Sequence, residues 1–191
     1  MARLKWIPLG VAGALALAGT GLVAAGAWPF GDEAEQPIAF PHDVHAGGQN
    51  QIPCMYCHFS ADESPDAGIP PVSVCAGCHL PGSQPGGDAQ PLVAGDRPGV
   101  QRLTEYWNEG EPIPWVRIHD LPDHVHFPHM IHVNAGLDCE QCHGAVEEMA
   151  EIEQVASLEM GWCIDCHQDP PEHVQEAGIE AARIDCFVCH Y

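Results

Sequence analysis

Every cysteine of this chain belongs to one repeated pattern. The ten fall into Cys54-Met-Tyr-Cys57-His58, Cys75-Ala-Gly-Cys78-His79, Cys139-Glu-Gln-Cys142-His143, Cys163-Ile-Asp-Cys166-His167 and Cys186-Phe-Val-Cys189-His190. C-x-x-C-H is the attachment signature of c-type haem: two thiols bond the vinyl-derived carbons of the macrocycle, and the adjacent imidazole reaches the iron. A single match would equally suit a redox dithiol or half of a zinc site. Five matches leave no cysteine over for disulfides, and zinc ribbons do not require the histidine. The expectation is five covalent haem c groups, with His58, His79, His143, His167 and His190 as proximal iron ligands.

So many large cofactors on so short a chain constrain the fold. Residues 29–191 provide about 33 residues per motif, too few to bury separate polypeptide cores. The macrocycles themselves must supply much of the apolar interior. The 18 prolines and 20 glycines point to frequent interruptions. The expected fold class is mainly α and irregular, with short helices at each motif, long loops and little sheet, preceded by an N-terminal transmembrane helix.

The anchor is read from the first thirty residues. Trp6 to Trp28 are 23 residues without a charge, and about 20 suffice to cross a bilayer. Tryptophans flank the stretch, and Arg3 and Lys5 precede it, which orients the N-terminus to the cytoplasm. A signal peptide cleaved at Ala25-Gly26-Ala27 is the rival reading, but the stretch is long for one. Residues 1–5 are thus expected in the cytoplasm, 6–28 in the inner membrane, and 29–191 as a haem domain on the periplasmic face. Small residues at Ala12/Ala16 and Ala14/Ala18 suit close approach by another membrane helix.

Within the haem domain the sequence is duplicated. FPHDVHAGGQNQIPCMYCH begins at Phe40 and FPHMIHVNAGLDCEQCH at Phe127, and each F-P-H-x-x-H precedes two attachment motifs. This gives a dihaem unit at 40–79, a linker at 80–126, a second dihaem unit at 127–167 and a terminal haem at 168–191. The linker opens with a Gly- and Pro-rich loop, followed by a short helix over Val100–Asn108 that stops at Gly110.

F-x-H-x-x-H before a haem motif resembles the small multihaem cytochromes of the c3/c7 class. The resemblance implies that His42 serves the iron of His58 and His129 that of His143, while His45 and His132 reach neighbouring haems. One distal ligand is then missing. His119, His124, His126, His173, Met149 and Met160 are the candidates. Met160, three residues before Cys163, and Met149, six after His143, favour one His/Met haem, with His119 the main alternative. Methionine ligation would raise the potential of that haem; packing against a macrocycle is the bland reading of both methionines.

Charge narrows the partners. All 27 acidic residues lie beyond residue 30, against Arg97, Arg102, Arg117 and Arg183 alone. Such a surface excludes nucleic acid and favours basic partners. High-salt adaptation of a whole proteome would produce the same acidity.

The blocks YWNEGEPIPWVRIHDLPDHVHFPHMIHV, from Tyr106 to Val133, and GAVEEMAEIEQVASLEMGWCIDCH, from Gly144 to His167, resemble the pentahaem subunit of alternative complex III, a quinol:electron-acceptor oxidoreductase. The acidic surface depart from that pattern, as does His126, where an aromatic residue is expected. The resemblance implies an electron-transfer subunit that is no enzyme on its own. Its partners would be an iron–sulfur subunit, a polytopic quinol-oxidising membrane subunit, and a periplasmic cytochrome c, high-potential iron–sulfur protein (HiPIP) or terminal oxidase as acceptor. The alternative is a membrane quinol dehydrogenase of the NapC/NrfH type feeding a periplasmic reductase. That class usually carries four haems and lacks the duplicated F-P-H-x-x-H.

Overall fold

The structure is a computed structural model that describes residues 35–178 and 184–191. Its elements are short helices strung on irregular chain. They are α1 (His42–His45), α2 (Cys54–Cys57), α3 (Val72–His79), α4 (Pro98–Glu109), α5 (His129–Asn134), α6 (Glu140–His143), α7 (Met160–Gln168), α8 (Glu172–Glu176) and α9 (Cys186–Cys189), with a 3-10 turn at Val146–Glu148. Among the described residues there is no strand, and the isolated antiparallel bridge Val125–His190 is the nearest approach to sheet.

Proline sets where many of these helices begin. Pro41, Pro53, Pro71, Pro128 and Pro171 each stand immediately before a helix in an extended conformation. Its fixed φ and missing N–H suit that position. The two duplicated segments repeat this geometry closely, with φ/ψ of −82°/109° at Pro41 and −87°/110° at Pro128.

The polypeptide core lies where α3 packs on α4. Leu103, Thr104, Tyr106 and Trp107 are the buried residues of α4, spaced as one face of a helix. Leu103 and Tyr106 meet Ile38 and Ile113, while Trp107 meets Ala76, Leu80 and Ala89. Val72 packs against both groups. The helix starts two residues before the expected Val100, with Pro98 in its first turn, and stops at Gly110. Gly110 has φ of +72° and returns its N–H to the carbonyls of Tyr106 and Trp107, a left-handed cap that glycine adopts at least cost.

A second junction ties the duplicated units together. The Asp43 N–H donates to the Met149 carbonyl at 2.9 Å, and α1 packs on the 3-10 turn. A Cβ at Gly47 would overlap the Glu147 carbonyl oxygen. On the far side of α5, the backbone N–H groups of His129 and Met130 donate to the carbonyls of Pro65 and Ser64, and the Asn134 amide donates to Asp62.

The sequence led us to expect a transmembrane helix over 6–28, and that segment lies outside the described residues. Among the described residues, no helix is long and apolar enough to cross a membrane. The longest, α4, has 12 residues and spans about 18 Å, against a hydrocarbon core about 30 Å thick. The fold class is therefore corrected to a helical and irregular fold with no transmembrane helix among the described residues. The expected single-pass placement in the inner membrane, with the haem domain on the periplasmic face, is corrected with it.

Candidate functional site

Each C-x-x-C spans one helical turn. Cys54–Cys57 form α2, Cys75 and Cys78 end α3, Cys139 caps α6, Cys163 and Cys166 lie in α7, and Cys186–Cys189 form α9. Residues three apart share a face of such a turn, so each motif turns its two thiols the same way. None of the ten cysteines is paired in a disulfide. Burial, and then neighbouring thiols, raise the pKa of Cys57, Cys75, Cys139, Cys142 and Cys163. The described residues do not gather three or more His, Cys, Asp or Glu side chains into a group able to hold a metal ion.

The neighbouring thiols also give the order of the motifs in space. Cys57 senses Cys78, and Cys75 senses Cys57. Cys139 senses Cys54. Cys142 senses Cys166 and Cys163, and Cys163 senses Cys189. The second motif therefore adjoins the first, the first adjoins the third, and the fourth and fifth follow.

The histidines share a second feature. Nδ1 donates to a backbone carbonyl in His45 (Pro41, 2.8 Å), His58 (Gly68, 2.8 Å), His79 (Val93, 2.9 Å), His129 (Pro65, 3.0 Å) and His132 (Pro128, 2.9 Å). That bond fixes the tautomer and leaves the Nε2 lone pair for a metal. In both F-P-H-x-x-H segments the second histidine bonds the carbonyl of the preceding proline and stacks on the phenylalanine, at 4.3 Å on Phe40 and 4.4 Å on Phe127. Phenylalanine and proline thus orient the ring.

The rings meet in pairs. Centroids are 6.2 Å apart for His45 and His79, 6.4 Å for His129 and His143, 6.1 Å for His132 and His167, and 5.4 Å for His124 and His190. His42 lies close enough to His58 to be perturbed by it, and the buried Nδ1 of His42 has no hydrogen-bond partner. Burial first, then neighbouring imidazoles, lower the pKa of His42 and His119. For His143, burial followed by His119, His129 and His58 brings it down to about 4. Neutral imidazole is the ligand form.

The remaining candidates are placed differently. His119 Nε2 shares a 3.2 Å hydrogen bond with His143 Nδ1, so it sits beside that histidine as well as near His129. His173 donates from Nε2 to the Gly136 carbonyl at 3.0 Å, which ties α8 to the end of α5. His126 lies against Tyr191. The side chain of Met149 is beside Gly144, and Met160 is 65% exposed at the start of α7. Sequence reasoning gave His124 no more weight than its neighbours; its alignment with the last motif rests on the pairing of two remote segments.

These residues fit haem. Metal–nitrogen bonds of about 2 Å place two facing imidazole centroids about 6.3 Å apart, which matches the pairs His45/His79, His129/His143 and His132/His167; His124 and His190 stand closer. Apolar side chains inside or beside the motifs are exposed, among them Tyr56, Phe59, Phe187 and Val188, as a contact surface for macrocycles requires. No curated protein matches the chain. Residues 125–191, which hold the last three motifs, match the family described as cytochrome c7 and related cytochrome c. That match and the five C-x-x-C-H motifs support a multihaem c-type cytochrome with a part in haem-based electron transfer.

Proposed function

We propose that the chain is a relay of five haem c groups within a quinol:electron-acceptor oxidoreductase of the alternative complex III kind. One observation carries the relay: the histidines of the duplicated segments face motif histidines in ring pairs, His45 with His79, His129 with His143 and His132 with His167, and the motif thiols adjoin in series from Cys75/Cys78 through Cys54/Cys57, Cys139/Cys142 and Cys163/Cys166 to Cys186/Cys189. Bound haem supplies the one-electron ferric–ferrous couple. The protein fixes the rest. The cysteine pairs would hold each group at its place in the series, and His58, His79, His143, His167 and His190 would take the proximal positions. His42, His45, His129 and His132 would supply further ligands to the irons. With two histidines available to an iron, no position would stay open for substrate chemistry there, which favours electron transfer over catalysis.

The complex is supported by where its most distinctive block falls. In Tyr106–Val133, the residues Tyr106, Trp107 and Ile113 fill the core, His119 meets His143, and His124 faces His190. The donor would be an iron–sulfur subunit served by a polytopic quinol-oxidising subunit, and the acceptor a cytochrome c, HiPIP or oxidase. Gentle isolation of the native protein, followed by its haem absorbance, tests this reading. Co-isolation of iron–sulfur and polytopic subunits is expected. A lone chain that oxidises quinol unaided would overturn it in favour of the NapC/NrfH type.

A further inference from the structure

The five irons need five distal ligands, and the duplicated segments provide four. We propose that His124 is the fifth, closing the terminal site as a bis-histidine pair with His190. This inference rests on the five-haem reading above.

The argument begins with the backbone. Residues 124–126 run antiparallel to the chain terminus through the bridge between Val125 and His190. The His126 N–H donates to the Cys189 carbonyl at 2.7 Å, and the Tyr191 N–H donates to the His124 carbonyl at 3.2 Å. Two hydrogen bonds flanking a bridge set the register of both segments. In that register the His124 ring lies 5.4 Å from the His190 ring, with planes 21° apart. Opening the pair by about 1 Å gives the separation of two imidazoles facing across one metal. His126 is turned instead to Tyr191.

The competing side chains are engaged elsewhere or turned away. His173 commits Nε2 to the Gly136 carbonyl, and His119 commits it to His143. Met149 lies beside Gly144, next to the third motif. Met160 is largely exposed. His124 alone among these candidates faces a motif histidine that has no other ring opposite it among the described contacts. The His/Met haem expected from sequence then gives way to a bis-histidine set, which also removes the upward shift in potential that methionine would bring.

The test uses the full chain with its haems attached, read by electron paramagnetic resonance and near-infrared magnetic circular dichroism. Haem content is measured first: fewer than five haems in the unaltered protein overturns the five-haem reading itself. With five present, the unaltered protein is expected to be wholly low-spin with no methionine–iron charge-transfer band. His124→Ala should turn one haem in five high-spin and carbon monoxide-reactive, while His126→Ala and Met160→Leu leave all five low-spin. A fully low-spin His124→Ala protein, or a high-spin fraction produced by Met160→Leu, overturns the proposal. If His124→Ala does not accumulate, His124→Met decides: a new methionine–iron band from one haem supports the assignment, and its absence refutes it.

Discussion

His45 and His79 face one another with 6.2 Å between ring centroids, so the second histidine of the first F-P-H-x-x-H segment meets the second motif rather than the first. His132 and His167 repeat the relationship at 6.1 Å in the duplicated unit. A segment built this way offers its two histidines to two different motifs, and in the proposed relay it would hold neighbouring haems at a fixed spacing. In each unit the ring is set by one Nδ1 bond to proline and one stacked phenylalanine. We expect His45→Ala and His132→Ala each to convert one haem of five to high-spin, and the double variant two, by electron paramagnetic resonance. A double variant with no more high-spin haem than either single would place both histidines on one iron.

The junction between the duplicated units depends on a residue without a side chain. Gly47 is buried against the Glu147 carbonyl, so any Cβ must displace backbone, and the Asp43–Met149 bond lies beside it. Gly47→Val is expected to destabilise the holoprotein by about 1–3 kcal/mol through overpacking, read as a lowered Tm. An unchanged Tm would mean that the two units do not depend on this contact.

Leu80 is 2% exposed and packs with Ala76, Ala89 and Trp107 where α3 meets α4. Leu80→Ala should cost about 2–5 kcal/mol by leaving a cavity. Because Leu80 directly follows His79, denaturant titration followed at the haem bands should show the loss. A change below about 0.5 kcal/mol would place the site among surface substitutions.

Carboxylates outnumber cations greatly beyond residue 30, a charge that steers basic partners and is screened by salt. Electron transfer from the reduced protein to a basic soluble cytochrome should slow as ionic strength rises from about 0.01 to 0.15 M, where the Debye length falls from about 30 to 8 Å. Stopped-flow absorbance would measure it. A rate that is flat or rises with salt would instead assign the acidity to high-salt adaptation.

Sequence patterns captured the parts of this molecule that are local. Five motifs at fixed spacing, the helix that ends at Gly110 and the scarcity of strands follow from short-range chemistry: thiols three apart share a turn, glycine adopts the left-handed cap, and frequent prolines interrupt pairing. The histidine pairs are different, because they join residues that no periodicity links. Met160 attracted attention by its closeness to Cys163 in the chain, yet its side chain is turned outward. His124 stands far from Cys189 in sequence and reaches its motif only through the bridge at Val125. The order of the motifs in space, with the second at one end and the first between second and third, is likewise a product of packing between the duplicated units.

The count of haems on one chain is the measurement closest to the central claim. Intact-mass spectrometry of the purified, denatured holoprotein, together with alkylation of free thiols, reports it directly. The relay predicts a mass increment of five haems and no thiol open to alkylation. A smaller increment, or a cysteine of any motif recovered alkylated, would contradict it.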